Sequence, residues 1–378
     1  MKTPQALSYI ELSKKNLIHN ITQFRSFVKK GTELSVAIKG NAYGHGQNQV
    51  AQILEPYADY FQVDSLEELR LLRKVSKKKT FVFGYIQKSD VCEAMQLKCL
   101  LSIFSIVQLK QVNQEAKKLD IVQEIHIPVD AYLGREGFLL KELSKLFAEI
   151  KKCKYIKLTG MYAHFANIED TRNFSHGQKQ ITEYEKSLEY AQKLGFANFS
   201  THISATSGIL VYEKNSGINN IVRLGLGAYG LWPSADLKKV FGSQIVLKPV
   251  LSWKTKIAQI KTLEKGSTIG YGLTFKTKKQ TKIALIPQGY ADGFDRGFSN
   301  NGEVLIKGTK CKILGRISMN MFVVDISHLK SVKNEDEVVI LGKQGKEEIT
   351  AEEMANRIDT INYEITTRIS SLLPRVVK

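Results

Sequence analysis

Between residues 35 and 225 the chain repeats one pattern, a short and almost continuous apolar run followed by a longer stretch whose apolar positions recur every three or four residues. The runs are SVAI (35–38), FQVDS (61–65), TFVFGY (80–85), LLSIFS (100–105), EIHIPVD (124–130), LTGMYAHF (158–165), HISAT (202–206) and NNIVRLG (219–225). Apolar runs of this length suit strands buried on both faces. The stretches between them carry helix signals. Ser65 caps LEELRLLRKV, Ser105 caps IVQLKQVNQEAKK, and HGQKQITEYEKSLEYAQKLG ends at Gly195. Strand and helix alternating eight times predicts a (β/α)8 barrel over residues 1–238, with its chemistry at the C-terminal strand ends.

After Trp232 and Pro233 the period changes to two. VLSWKTKIAQIKTL, TKIALIP, GEVLIKG and EDEVVILG alternate, with only one good helix, TAEEMANRI, among them. A second, mainly-β domain is expected over residues 239–378. ALSYIEL near the start also reads as a strand, and since it precedes the first barrel helix, residues 1–10 are candidates to pair with that β domain.

Composition changes this picture little. The 378 residues suffice for a large barrel and a second domain, and 43% hydrophobic against 24% charged residues is an ordinary globular balance. No apolar run reaches membrane length, and the opening MKTPQALSYIELSKKN lacks a continuous apolar region, so a cytoplasmic protein without a membrane partner is expected. Cys92, Cys99, Cys153 and Cys311 show no CxxC spacing, which argues against a disulfide framework or a zinc site. The net charge of +18 would suit a polyanion, but the basic residues are dispersed and no aromatic-interleaved basic motif occurs. They read as solvated faces, with no nucleic-acid partner expected. Their field favours small anions such as phosphate esters and carboxylates.

The candidate chemistry begins at VAIKGNAYGHG, residues 36–46, where Lys39 ends an apolar β-branched run and glycines follow. A lysine buried at a strand end would lose charge and gain nucleophilicity, which suits a Schiff base; the bland reading is a lysine that snorkels into water. Tyr43 and His45 add a phenol and a ring nitrogen. Farther along, Thr206 and Ser207 end the seventh run while Gly225 and Leu226 follow the eighth, the loops that bind phosphate in such barrels. Alone, the same residues read more readily as a helix cap and a turn.

These segments resemble alanine racemases, which carry pyridoxal 5'-phosphate on the lysine of a matching motif. The resemblance runs from about Ile10 to Ser371, with YAHFAN, HISAT, RLGLGAYG, IGYGLTF, GYADGFDRG, GRISMNMF and DTINYEITTRIS in family order. It implies that Thr206, Gly225 and Leu226 hold the phosphate together with Tyr43 and Tyr363, and that Arg223 faces the pyridine nitrogen. A permanently protonated arginine discourages protonation of that nitrogen, weakening the electron sink and favouring reprotonation over side reactions. The resemblance further implies Lys39 and Tyr271 as two opposed bases, with His164 linking Tyr271 to Arg223. Arg135 and Met319 are expected at the substrate carboxylate, and Tyr290 and Arg296 at the entrance. A bulky Tyr363 narrows the pocket toward alanine. The family's tyrosine comes from the partner subunit, so a homodimer with shared sites is implied, making D-alanine for peptidoglycan.

The chain departs from the family mainly on the fifth strand, where PVDAYLGR (128–135) keeps Arg135 but puts Pro128 in place of a lysine that is often carbamylated to position that arginine. Proline cannot do this, and Glu136 or a bound anion is the candidate substitute. Ala131, Tyr132 and Leu133 alter the pocket wall, Asn320 stands where Asp is common, and Thr206 where Ser is common. The readings left beside alanine racemisation are a racemase of serine or another amino acid, a barrel-type decarboxylase, and a non-catalytic pyridoxal-phosphate binder. Arg223 disfavours the decarboxylase, because that chemistry uses an acidic partner at the ring nitrogen.

Overall fold

The computed structural model describes residues 6–170, 172–213 and 219–378, which form two compact units. One comprises residues 18–40 and 50–248; the other comprises residues up to 17, 41–49 and 249–378.

The larger unit is built on eight strands. In chain order they follow the short strand β1 (Tyr9–Leu12) as β2 (Glu33–Ala37), β3 (Tyr60–Val63), β4 (Thr80–Val82), β5 (Leu100–Ser102), β6 (Gln123–Pro128), β7 (Ile156–Tyr162), β8 (Ser200–His202) and β9 (Ile221–Leu224). All neighbours are parallel, in the order β8-β7-β6-β5-β4-β3-β2-β9, with Val36 opposite both Phe61 and Leu224. Backbone bonds from Asn220 N to Thr201 O and from Arg223 N to Ser204 O tie the last two segments together, so the eight strands form a barrel. Several strands are buried on both faces, which is why their sequences read as continuous apolar runs.

Helices lie where the caps predict them. Ser65 Oγ accepts from Glu68 N and opens Leu66–Arg73, and Ser105 Oγ accepts from Gln108 N and opens Ile106–Lys118. The strands themselves stop earlier than their apolar runs. β4 ends at Val82 and β8 at His202, although TFVFGY and HISAT continue beyond them. The extra residues belong to loops at the C-terminal strand ends, several of which are buried themselves, so apolarity there reflects loop packing as well as strand pairing.

The smaller unit is a ten-stranded sheet. Its strands after β9 are β10 (Leu251–Lys256), β11 (Gln259–Leu263), β14 (Thr281–Ile286), β15 (Glu303–Ile306), β16 (Thr309–Leu314), β17 (Phe322–Asp325), β18 (Glu337–Gln344), β19 (Glu347–Ile349) and β20 (Arg375–Val377), while β12 (Thr268–Ile269) and β13 (Phe275–Lys276) make a separate hairpin. β1 lies between β10, antiparallel, and β20, parallel. Alternation along β10 buries Leu251, Trp253 and Thr255, and the Trp253 ring packs edge-on to Phe294, which stacks on Phe298 and Phe322. Thr350 caps the expected helix Ala351–Arg357. A second helix, Asn362–Thr367, was not legible, because β-branched Ile365, Thr366 and Thr367 weaken its helical signal.

Candidate active site

The C-terminal ends of the barrel strands collect the polar residues of the larger unit. Lys39 follows β2 by two residues, and its Nζ lies 3.2 Å from Asp64 Oδ1 just past β3. Both side chains are about half exposed, so the desolvation expected from the sequence is not what distinguishes this lysine. Its position is set by the backbone around it. Gly40 N donates to Glu68 Oε1 at 2.6 Å, and Asp64 N donates to the other oxygen of the same carboxylate at 2.7 Å, joining the two loops.

The chain then makes a turn of left-handed helix. Gly40, Asn41, Ala42, Tyr43 and Gly44 have φ of 59°, 53°, 55°, 53° and 84°. Side-chain-bearing residues cost about 1–2 kcal/mol each in this region, so the turn is held from outside. Asn41 Oδ1 accepts from Gln47 N, and Gly44 O accepts from Arg375 Nη2 at 2.9 Å. A Cβ on Gly44 would stand 1.8 Å from Thr366 O, so only glycine fits.

Arg223, on β9, is buried. Its Nη1 donates to His202 Nδ1 and His202 O, both at 2.8 Å, and its Nη2 donates to Ala163 O at 2.8 Å, His164 Nδ1 at 3.1 Å and Ile203 O at 3.2 Å. Its Nε–H has no acceptor among the described residues. The guanidinium lies over the rings of Phe83 and Tyr162, and Tyr162 stacks on His202 with centroids 5.1 Å apart. Burial pulls the Arg223 pKa down to about 10. His164 is pushed down to about 3 by burial and then by the Arg223 charge, and burial holds His202 well below its ordinary value.

His126, also buried and lowered to about 3, completes a set of three neutral histidines in this unit. The unfolded chain titrates near 6.5, so below that pH it takes up protons that the native state refuses. Stability is therefore greatest above about pH 6.5 and falls toward pH 3, by up to about 1.4 kcal/mol per pH unit for each histidine. Urea unfolding at several pH values should show this decline, and His126→Gln should reduce its slope by about one proton; a flat profile below pH 6.5 would contradict neutral burial.

The loops after β8 and β9 meet at Thr206. Its Oγ1 accepts from Gly225 N and Gly227 N, each at 3.2 Å, and a Cβ on Gly227 would lie 2.4 Å from the Phe24 ring. After β6, Asp130 Oδ1 folds the loop by accepting from Leu133 N and Gly134 N. Arg135 in that loop forms a two-pronged pair with Glu136, its Nη2 donating to Oε1 at 2.7 Å and its Nε to Oε2. Pro128 accepts a backbone bond from Phe138 N. The larger unit thus gathers Lys39, Arg135, His164, Thr206, Arg223, Gly225 and Leu226 at the strand ends, and electrostatic coupling reaches from His164 to Arg223, Arg135, Glu136 and Lys39.

The remaining predicted residues belong to the smaller unit. The rings of Tyr43 and Tyr363 lie 6.1 Å apart. Tyr271 stands on the turn between β12 and β13, 73% exposed, with Gly270 and Gly272 on either side in the left-handed region. Tyr290 N and Ala291 N donate to Ser318 O and Met319 O, setting exposed Tyr290 beside exposed Met319. Arg296 opens a short turn capped by Asp295. Sequence reasoning passed over His126, His202, Asp64 and Glu68. The available signal was a polar residue recurring inside otherwise apolar strand runs, at positions 126 and 202.

A parallel barrel with these groups at its strand ends, followed in the chain by a mainly-β unit, marks the class of two-domain amino-acid isomerases. Residues 12–233 match the alanine racemase N-terminal domain and residues 250–377 the alanine racemase C-terminal domain. The alanine racemase of Leptospira interrogans is 34% identical, with 98% of this chain and 95% of the relative covered. Alanine racemase 2 of Caldanaerobacter subterraneus is 33% identical, covering 97% and 94%. Among solved structures, alanine racemase from Clostridium difficile 630 superposes with a TM-score of 0.92 at 31% identity, covering 100% of this chain and 97% of that one. The Bacillus anthracis enzyme with bound L-Ala-P also gives 0.92 at 31% identity, covering 100% and 96%. The chain belongs to the alanine racemase family, whose members are pyridoxal-phosphate-dependent isomerases.

The residues present fit that cofactor. Arg223 keeps one N–H uncommitted, while its other donors anchor it to the barrel wall. A guanidinium that can only donate matches a pyridine nitrogen that accepts. The Thr206 hydroxyl oxygen accepts from Gly225 N and Gly227 N, which leaves its O–H to donate to a phosphate. Among the described residues no group of His, Cys, Asp or Glu is arranged to hold a metal ion, and no helix is long and apolar enough to cross a membrane.

Proposed function

We propose that this chain binds pyridoxal 5'-phosphate through Lys39 and racemises alanine with Lys39 and Tyr271 as its two bases. The observation that carries the reading is Arg223, buried between neutral histidines with its Nε–H uncommitted, in the same barrel mouth as Lys39. Tyr43, Thr206, Gly225, Leu226 and Tyr363 would hold the phosphate, and Arg223 the ring nitrogen. When bound, the cofactor supplies a covalent hold on the substrate amine and a sink for the electrons left at Cα.

The chain's own groups do the proton work. Lys39 Nζ gives or takes the Cα proton on one face, and Tyr271 Oη of the partner subunit serves the other. Arg223 is a donor only, so His164 Nδ1 must present a lone pair to it. His164, neutral, then carries its proton on Nε2, where it can donate to the phenol oxygen and stabilise a phenolate. Arg135, steadied by Glu136, and Met319 receive the substrate carboxylate, while Tyr290 and Arg296 line the entrance. The enzyme is a cytoplasmic homodimer with two shared sites, and its product is D-alanine for peptidoglycan.

The test is incubation of purified, cofactor-loaded protein with L-alanine in heavy water, with L-serine and L-lysine in parallel. D-alanine carrying deuterium at Cα is the expected product. Faster turnover of serine or lysine would shift the substrate, and absence of both inversion and exchange with every amino acid would leave a non-catalytic binder.

A further inference from the structure

We propose that His126 is a positioning residue for Arg223, acting through His202 by fixing which of its nitrogens carries the proton. Hydrogen-bond direction leads there without further assumption. Arg223 Nη1 lies 2.8 Å from His202 Nδ1, and a guanidinium cannot accept, so that nitrogen offers its lone pair. His202 is fully buried and neutral, and its single proton is therefore on Nε2. Nε2 is 2.8 Å from His126 Nδ1, which must be the acceptor, leaving the His126 proton on its own Nε2. One directed chain runs from Arg223 through His202 to His126.

The place of His126 is built into the barrel. The register of β6 against β7 shifts between Ile125 and His126, and Gly160 lies opposite the ring. A Cβ at Gly160 would come within 2.1 Å of His126 Cε1. Phe81 meets the same ring edge-on at 4.7 Å. His126 also lines a cavity of about 270 Å³ at the N-terminal strand ends, together with Glu124, Lys157 and Thr159.

The consequence follows from what happens without an acceptor at position 126. His202 would either leave Nε2–H buried and unpaired or move its proton to Nδ1, where it would face an arginine N–H. In both cases the seat of the guanidinium changes, and with it the direction of the Nε–H. That this direction matters for turnover rests on the racemase reading above; the proton positions do not.

The experiment uses full-length protein labelled with nitrogen-15 histidine, before and after loading with pyridoxal phosphate. Nitrogen–proton correlation spectra should show His202 and His126 neutral and protonated on Nε2 between about pH 5 and pH 8. His126→Leu should disturb the His202 tautomer and lower kcat of the loaded enzyme by about ten- to hundredfold with little change in KM. His126→Gln, whose carbonyl accepts, should restore both. A wild-type His202 protonated on Nδ1 overturns the proposal, and so does His126→Gln that folds but behaves like His126→Leu. Should His126→Leu fail to fold, the wild-type spectrum and His126→Gln still decide. An inactive wild-type protein with the expected tautomers would sink the racemase reading and uphold the tautomer lock.

Discussion

Lys39→Ala is expected to abolish racemisation, lowering turnover by at least about 10⁴-fold, because in the proposed mechanism one substitution removes both the covalent anchor of the cofactor and a proton donor at Cα. The fold should survive. Lys39 is half exposed and, among the described residues, pairs only with a half-exposed Asp64, and surface pairs of this kind contribute about 0–1 kcal/mol. Loss of activity with an unchanged unfolding midpoint would therefore report chemistry rather than stability. Borohydride treatment of the loaded wild-type protein should fix cofactor mass to the chain, and the variant should take up none. A variant that still racemises at a normal rate would remove Lys39 from the mechanism.

Tyr271→Phe should cost about 10²–10⁴-fold, the range for removing one acid–base group. Folding should again be unaffected, since the residue projects from a hairpin turn at 73% exposure. Because the two alanine enantiomers have equal free energy, net racemisation must fall equally in both directions. The asymmetry appears instead in proton exchange. Exchange at Cα of D-alanine, assigned to Lys39 in the proposed mechanism, should persist in heavy water while that of L-alanine is lost. Mixing this variant with Lys39→Ala tests the shared site. If the sites are shared as proposed, half of the randomly assorted dimers are hybrids with one site holding both native bases, so about a quarter of wild-type activity should return. No recovery after verified subunit exchange would place Tyr271 and Lys39 on the same chain.

The barrel was legible because parallel strands buried on both faces write themselves as continuous apolar runs, and because Ser65 and Ser105 announce the helices between them. Strand ends were less legible. Ile203 and Ser204 are buried in a loop, and burial alone does not distinguish a loop from a strand. Lys39, Thr206 and Arg223 could be singled out by type and place, whereas the environment of each could not. Lys39 turned out half exposed, and the contacts that enclose Arg223 come from β7 and β8, tens of residues away in sequence. The pairing of His126 with His202 spans 76 positions, and two isolated histidines in apolar strands give no hint that they touch. The carboxylate beside Arg135 was foreseeable only because Glu136 is its neighbour in the chain.

The left-handed turn at residues 40–44 has a consequence for how this sequence can drift. Random replacement at positions 41–43 meets a backbone that β-branched side chains enter only at high cost, and position 44 admits no side chain beside Thr366 O. Ala42 and Tyr43 already bear the left-handed cost, so geometry alone acts against β-branched replacements at 41–43 and against any side chain at 44. Seen as a lineage rather than a molecule, the segment after Lys39 is a narrow corridor, closed to β-branched residues along its turn and to every side chain at position 44.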